Sequence, residues 1–273
     1  MSEDANHGGF AEQTAHITHA KRRRYRDAPV AEAIARMHWS SEWAWDITTP
    51  GLLYERLRGI YPAPPQIRNS MQADFNGSDI SMDSIGSTVA IRPGPQQIMF
   101  RNDAGDRLCM ISSSDISVHG LPPYEGWENL EDRLFSAFDL IQDMSGVGES
   151  FSQLSLRYIN NVQIPESPLR FDDYLTISFG LPEGFPKTLA GFLDRAEVLY
   201  PDAPVRLVFT WGSVEAPPGH SGFVFDLDLT TDLPDALGLT EARAALNELK
   251  GRETDAFESL LKDRLRELFG VLE

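Results

Sequence analysis

The sequence contains one cysteine, Cys109, among its 273 residues. A single cysteine excludes an internal disulfide framework and a zinc site built from several thiolates. Cys109 lies in an apolar, strand-like run, which favours a buried thiol over a nucleophilic one. No apolar run approaches the roughly 20 residues of a membrane-spanning helix, and the N-terminus lacks the features of a secretory signal. These absences predict a cytoplasmic protein with no membrane partner.

Positive charge is scarce, with 24 Lys and Arg against 41 Asp and Glu, for a net charge of −17. This charge repels nucleic-acid phosphate over most of the surface and favours basic partners or cations. The exception is a compact basic block from Lys21 to Arg26, the one place where charge favours a nucleic acid or another anionic partner. We interpret residues 1–26 as a flexible basic tail that could lie on the acidic body of its own chain.

The common catalytic signatures are also missing. The sequence has no Gly-rich phosphate loop, no Gly-x-Ser-x-Gly elbow and no His-Glu-x-x-His helix. These absences weigh against the common hydrolase and nucleotide-binding classes. His119 could act as a base, but no nucleophile pairs with it in the sequence. We therefore expect no catalytic residues and no cofactor.

The clearest structural pattern is an elbow followed by a helix. The pair Pro122-Pro123 ends the preceding strand. From Trp127 the apolar residues recur close to every 3.6 residues, which predicts an amphipathic helix. Elsewhere the patterns predict strands over 33–40, 154–164, 174–179, 205–211 and 222–230, antiparallel strands within 66–118, and helices from 49, over 188–199 and over 239–269 with a break near 251.

Two pieces of sequence recur in the same order in the two halves of the chain. One is a predicted helix that ends in Tyr-Pro, at Tyr61 and again at Tyr200; the other is an aromatic-led helix that starts at Trp127 and again at Phe257. They predict an α+β fold of two related halves, 27–145 and 146–273, that form one compact unit. Each half would run strand, helix, antiparallel strands, helix, with the sheets shared or abutting and the helices packed on one face.

Three motifs carry a family resemblance: the elbow Tyr124-Glu-Gly-Trp127, the strand Leu156-Arg-Tyr-Ile-Asn160, and the helix that contains Asn247 and Phe257. Together they resemble a sporadically distributed family of bacterial proteins of about this length with no established activity. The resemblance covers most of the chain beyond the basic block and implies no chemistry. The patchy distribution of the family implies an accessory role associated with defence or toxins.

The candidate residues for binding a ligand or partner are polar and aromatic side chains near the elbow and on the strands: Tyr124, Arg157, Tyr158, Asn160 and Trp211. Arg157 could receive an anion through two parallel hydrogen bonds. The alternative is a structural ion pair between Arg157 and a helix carboxylate such as Glu128 or Asp132.

Asp226 and Asp228 are the candidate metal ligands. They stand at i and i+2 of a predicted strand, so their side chains share one face roughly 7 Å apart. Two carboxylates at this spacing could help to hold Mg²⁺ or Mn²⁺ or act as an acid–base pair. The alternative is a solvated polar face of the sheet.

Three functions remain open from the sequence. The first is a non-enzymatic binding protein that holds a protein partner, such as a basic effector, on an acidic, aromatic-edged surface between the halves. The second is a metal-dependent hydrolase that uses Asp226 and Asp228, and the third is a sensor of a small ligand in a sheet-lined cavity. The sequence leaves a homodimer open as well.

Overall fold

The computed structural model describes residues 23–74, 90–146, 150–186 and 190–272. The chain is mixed α and β, with five helices and one large antiparallel sheet in these residues. In chain order the elements are β1 (Arg24–Tyr25), β2 (Val30–Trp39), α1 (Thr49–Leu57), β3 (Gln66–Asp74), β4 (Ala90–Arg101), β5 (Arg107–Ile111), β6 (Asp115–Gly120), α2 (Trp127–Ser145), β7 (Phe151–Ile164), α3 (Phe171–Tyr174), β8 (Leu193–Leu199), β9 (Val205–Val214), β10 (Ser221–Leu237), α4 (Leu239–Leu260), α5 (Asp263–Phe269) and β11 (Val271–Leu272).

Nine strands form one continuous sheet in the order β3-β4-β5-β6-β2-β7-β10-β9-β8. Each neighbouring pair is antiparallel. The first long strand of the N-terminal part, β2, therefore lies beside the first long strand of the C-terminal part, β7. Outward from this central pair, β6 follows β2 and β10 follows β7, so the sheet is shared across the whole chain.

One face of the sheet carries the core. In β7 the side chains of Leu154, Leu156 and Tyr158 are buried on this face, while those of Ser155 and Arg157 between them are partly exposed on the other. This alternation follows from the two-residue period of a strand. Helices α2 and α4 pack on the apolar face. Each large side chain buried there contributes about 1.5–3 kcal/mol relative to exposure.

Helix α2 confirms the prediction from the elbow. It begins at Trp127, directly after Gly126, whose positive φ of 98° is favourable for glycine. It ends at Ser145, and the next residue, Gly146, has the left-handed conformation. The predicted apolar stripe faces the sheet, and its members are almost wholly buried: Trp127, Leu130, Leu134, Phe138 and Ile141. The stripe rather than a side-chain cap fixes the helix, since Gly126 has no side chain to cap it.

The last predicted helix is two helices, and the break lies later than expected. Gly251 is buried inside α4, and the chain leaves the helix at Leu261, which forms a β-bridge with Leu175. Helix α5 then turns back, with Leu265 and Phe269 buried. The break therefore falls where the helix end pairs with the segment after α3.

Two predicted elements are wrong. Residues 193–199 form strand β8 instead of a helix, and the segment predicted as a strand over 174–179 begins at the end of the single-turn helix α3. The Tyr-Pro ending at Tyr200 thus follows a strand, whereas the one at Tyr61 follows helix α1. All seven residues of β8 are exposed, so no buried face imposes the two-residue period that would reveal a strand.

Only part of the basic block, residues 23–26, lies within the described residues. Residues 1–22 of the predicted tail lie outside the described residues. Residues 23–26 lie against the body, because β1 pairs with β11 through Arg24 opposite Leu272 and Tyr25 opposite Val271. Residues 23–26 are therefore not part of a flexible tail, contrary to the prediction over 1–26. Within the described ranges, no helix is long and apolar enough to span a membrane.

Candidate functional site

A cavity of about 780 Å³ lies between four segments of the chain. Its walls are the elbow with the first turn of α2, two residues of β7, the C-terminal half of α4, and the segment from Arg23 to Val30 with Leu272 of β11 beside it. A cavity of this size is in the range that binds small molecules or peptide side chains. It lies where the N-terminal part of the chain meets the C-terminal part.

Two tyrosines form the aromatic wall of the cavity. The hydroxyls of Tyr124 and Tyr158 are hydrogen-bonded at 2.6 Å, and their rings meet edge to face with centroids 5.8 Å apart. The ammonium of Lys250 lies 4.1 Å from the centre of the Tyr158 ring, a cation–π contact. Burial raises the pKa of Tyr124, although the hydrogen bond to Tyr158 opposes the rise. Tyr124 is therefore a neutral hydrogen-bonding group at physiological pH.

Helix α4 supplies two buried carboxylates to the cavity. Glu253 is 3% exposed and accepts a 2.5 Å hydrogen bond from Lys250. Glu258 is 6% exposed and accepts hydrogen bonds from Arg23 at 2.8 Å, Tyr25 at 2.6 Å and Arg266 at 3.0 Å. Each carboxyl group lies beside a cationic side chain, which is the usual arrangement for a buried acid. Glu258 thereby ties β1 to α4 and α5.

Asn160 forms part of the polar floor. Its side chain is 2% exposed, and its amide donates a long, 3.4 Å hydrogen bond to the carbonyl of Phe225. Strand β2 meets β7 here with a β-bulge, because Val30 is opposite Asn160 and Glu32 is opposite Ile159. A bulge leaves one extra residue unpaired and re-aims the neighbouring side chains. The bulge thus opens the sheet beside Asn160.

The structure brings three of the five predicted binding residues together. Tyr124, Tyr158 and Asn160 all line the cavity. Arg157 and Trp211 do not line it. Arg157 lies on the opposite face of the sheet, and Trp211 lies on the same face as Asn160 but two strands away, on β9.

Trp211 is a core residue. It is 3% exposed, and its ring packs against those of Phe171, Phe192 and Phe223, with centroids 5.8, 4.6 and 6.5 Å away. These aromatic side chains join α3 and the segment before β8 to the sheet. The environment gives Trp211 a packing role and leaves it little surface for a ligand.

Arg157 forms an ion pair with Asp226 on the open face of the sheet. Its Nε and Nη2 donate to the two carboxylate oxygens at 2.8 and 2.6 Å, in a bidentate arrangement. The prediction of an ion pair was right in kind, but the helix carboxylates Glu128 and Asp132 are not the partners. The strand register explains the choice: Asp228 is opposite Arg157, and Asp226 is one diagonal step away on the same face.

This pairing bears on the predicted metal ligands. Asp226 and Asp228 share a face as predicted, but both oxygens of Asp226 already accept hydrogen bonds from Arg157. Burial raises the pKa of Asp228, and the Arg157 guanidinium opposes that rise. Among the described residues, no group of three or more His, Cys, Asp or Glu side chains is placed to hold a metal ion. The two aspartates therefore have no third ligand in this part of the chain, and Mg²⁺ or Mn²⁺ binding stays a prediction.

A second polar network lies on the same open face, around His119. Its Nε2 lies 3.3 Å from the hydroxyl of Ser117, and its Nδ1 lies 2.7 Å from a carboxylate oxygen of Glu32. The sequence analysis did not pair His119 with a nucleophile, although Ser117 lies two residues away on the same face of the strand. Hydrogen bonding with His119 lowers the pKa of Glu32.

The connectivity of hydroxyl, imidazole and carboxylate matches a catalytic triad. Ser117, however, is wholly buried in the middle of β6, between Met110 of β5 and Arg36 of β2. A nucleophile needs access to its substrate and nearby donors for the oxyanion, and a central strand position provides neither. We interpret the Ser117–His119–Glu32 network as a structural link between β6 and β2.

Four polar residues of the cavity were not predicted from the sequence. Lys250, Glu253, Glu258 and Tyr25 come from segments more than 90 residues from Tyr158, so no local spacing joins them. One signal was present: Glu253 occupies a position in the buried stripe of α4, between Leu249 and Phe257. A charged residue in an apolar stripe is rarely buried without a partner, which marks it for inspection.

The cavity contains tyrosine, lysine and glutamate side chains that could bind a ligand or take part in proton transfer. Its reactive groups are engaged with one another, as a Tyr pair, a Lys–Glu pair and a Glu–Arg cluster. Comparisons with protein-family models and with curated proteins find no match for the chain. The geometry alone therefore carries the functional argument.

Proposed function

We propose that the protein is a non-enzymatic binding protein that holds an extended, arginine-containing segment of a protein partner at the cavity. The observation that carries the proposal is that residues 23–25 of the chain itself lie at the cavity in an extended conformation. Arg23 and Tyr25 both donate to Glu258, while the backbone of β1 pairs with β11. A partner that offers the same groups in an extended conformation would find the same hydrogen-bonding sites.

Charge supports a basic partner. Of the charged residues that line the cavity, three are cations and four are carboxylates. Two of the cations are Arg23 and Arg24 of the chain's own segment, so the remaining wall has one lysine, Lys250, facing four carboxylates. The net charge of −17 attracts basic proteins over a longer range. These features favour a basic effector, restrained by the protein, as the partner.

A peptide that copies residues 20–30 tests the proposed mode of binding. The double variant Arg23→Ala Tyr25→Phe weakens the internal segment, so the peptide should bind this variant more tightly than the wild type. Adding Glu258→Gln should abolish the gain, and binding should weaken as salt increases. Isothermal titration calorimetry measures all three proteins. Equal affinities for the three, or binding that ignores salt, would remove the proposal.

The protein partner itself is sought among the purified products of neighbouring genes. Co-purification should be lost with Glu258→Gln and at high salt, since the contact is electrostatic. A matched control is Glu267→Gln, which removes the same charge from an exposed position on α5. If co-purification is lost equally with both variants, the partner does not use the cavity.

A second candidate function is a sensor of a small ligand, favoured by the size of the cavity and by its aromatic wall. Lys250 above the Tyr158 ring provides one charge for an anionic or polar ligand. A screen of metabolites by thermal shift should then find compounds that stabilise the wild type but not the variant Tyr158→Ala. Stabilisation of both proteins would place the ligand elsewhere.

We also infer that the two halves of the chain are related. Each half begins with a central strand, β2 or β7, and continues through an antiparallel set whose last strand pairs with that first strand. Each then closes with a long helix, α2 or α4. The sequence echoes give no support: Tyr61 follows a helix but Tyr200 follows a strand, and Trp127 begins α2 whereas Phe257 lies in the last turn of α4. Superposing 30–145 on 151–260 tests the inference, which fails if β2, β6 and α2 do not fall on β7, β10 and α4.

A further inference from the structure

Strand β8 forms one edge of the nine-stranded sheet and is exposed along its whole length. It pairs with β9 on one side, and no described strand pairs with its other side. All seven of its residues are exposed, including three large apolar ones: Leu193 is 73% exposed, Val198 46% and Leu199 72%. An exposed edge strand of this kind is a template for pairing with another chain.

The hydrogen bonds to β9 show which residues face the open edge. At the two ends of β8, Ser213 donates its N–H to the carbonyl of Phe192, and Tyr200 donates to the carbonyl of Val205. In an antiparallel ladder such hydrogen-bonded positions alternate. The even-numbered residues between them therefore bond to β9. Four odd-numbered residues direct their N–H and C=O groups outward: Leu193, Arg195, Glu197 and Leu199.

We propose that β8 pairs antiparallel with β8 of a second copy of the chain, about a twofold axis at Ala196. This pairing would join the two nine-stranded sheets into one. In this register Arg195 lies opposite Glu197 of the second copy, and Leu193 lies opposite its Leu199. All four outward-facing residues then find a partner with outward-facing groups, so the backbone hydrogen bonds can form along the whole strand.

The side chains select this register. A twofold axis at Arg195 would place arginine against arginine, and one at Glu197 would place glutamate against glutamate, both unfavourable across a strand pair. With the axis at Ala196, two Arg–Glu pairs flank the centre and two Leu–Leu pairs close the ends. The sequence of β8 is thus complementary to itself, which favours a second copy over an unrelated extended peptide.

Within one chain, Glu197 lies 3.3 Å from Arg206 and 3.9 Å from Arg195, and all three side chains are at least two-fifths exposed. Exposed ion pairs of this kind are weak, so a facing arginine can share Glu197 at little cost. A contact of one short strand is small, and small interfaces are weak. We therefore expect a concentration-dependent equilibrium between monomer and dimer.

Two charge reversals test the pairing in the full-length protein. Arg195→Glu makes both of the facing charged positions, 195 and 197, acidic, and Glu197→Arg makes both of them basic. Sedimentation equilibrium should show each variant dimerising roughly tenfold or more weakly than the wild type. An equimolar mixture of the two variants should recover association, because each Glu then faces an Arg of the other chain. Thermal unfolding confirms that both variants are folded.

A proline variant provides a second measurement in case a charge variant does not fold. Leu199→Pro removes an outward-facing N–H and no hydrogen bond to β9, so it should block the edge and leave the sheet intact. A wild type that stays monomeric at about 1 mM overturns the proposal. So does a mixture of folded charge variants that fails to associate, or a dimer that Leu199→Pro does not weaken.

Discussion

Replacing Glu258 by glutamine should detach β1 and destabilise the protein. The carboxylate of Glu258 accepts one hydrogen bond from Tyr25 and two from guanidinium groups, those of Arg23 and Arg266. A glutamine oxygen can still accept from Tyr25. Its amide group, however, is a donor and meets the guanidinium donors without forming a bond. The substitution therefore removes two charge-assisted hydrogen bonds and leaves the shape of the site almost unchanged.

The size of the loss follows from the exposure of the two arginines. The Arg266 side chain is 17% exposed and that of Arg23 is 45% exposed. A charge-assisted hydrogen bond with a largely buried partner contributes about 1.5–3 kcal/mol. The half-exposed Arg23 contributes about 0.5 kcal/mol, because water screens it. The expected loss is about 2–3.5 kcal/mol, which lowers the Tm of a domain of this size by about 4–14 °C.

Differential scanning calorimetry and urea unfolding measure the loss. Glu267→Gln is the matched control, since it removes the same charge from an exposed position of the neighbouring helix, and it should change stability by less than about 0.5 kcal/mol. Faster proteolysis near Arg24 and Tyr25 should accompany the loss in Glu258→Gln. A loss no larger than that of the control would refute the assignment of Glu258 as the anchor of β1.

Three further predictions concern the sheet. Burial lowers the pKa of His38 below its ordinary value of 6.5; the unfolded chain then binds the proton more readily. Urea unfolding should therefore show the wild type losing more stability than His38→Gln between about pH 7.5 and about pH 5.5, and equal losses would contradict the assignment. Phe138→Ala removes a fully buried ring that lies 5.2 Å from Phe151 and should cost about 3–5 kcal/mol in urea unfolding. A double-mutant cycle of Arg157→Gln and Asp226→Asn should give a coupling of about 1–2 kcal/mol, reduced by the partial exposure of Arg157; zero coupling would show that the ion pair contributes nothing.

The sequence predicts those elements that bury one face. Helix α2 is an example, because its stripe from Trp127 to Ile141 is dictated by the sheet beneath it. Strand β7 is another, since its alternation separates Tyr158 from Arg157. Both elements show the period of their own backbone geometry. The α+β class follows from such elements alone.

Elements without a buried face cannot be predicted in this way. Strand β8 has no buried residue, so its composition of Asp, Arg, Ala and Glu resembles that of an exposed helix turn. The pairing of Arg157 with Asp226 also required the strand register, which links residues 69 positions apart. Similarly, Glu258 and Tyr25 are 233 positions apart and meet only because β1 pairs with β11. The register and topology of the sheet decide these contacts, and neither is written in a local pattern.

The topology also explains why the cavity lies where it does. Strands β2 and β7 are the first long strands of the two parts of the chain, and they pair at the centre of the sheet. The helices that end the two parts, α2 and α4, must both cover this central pair, and the indole of Trp127 donates to Asn247 where they meet. A gap remains between the first turn of α2, the C-terminal half of α4 and β7. The gap is lined by Tyr158 and Asn160 of β7 below and by Lys250 and Glu253 of α4 at the side. A cavity at this junction is therefore a consequence of a topology in which two half-sheets, each covered by a long helix, pair through their first strands. The residue types that line the cavity would determine what the proposed site holds.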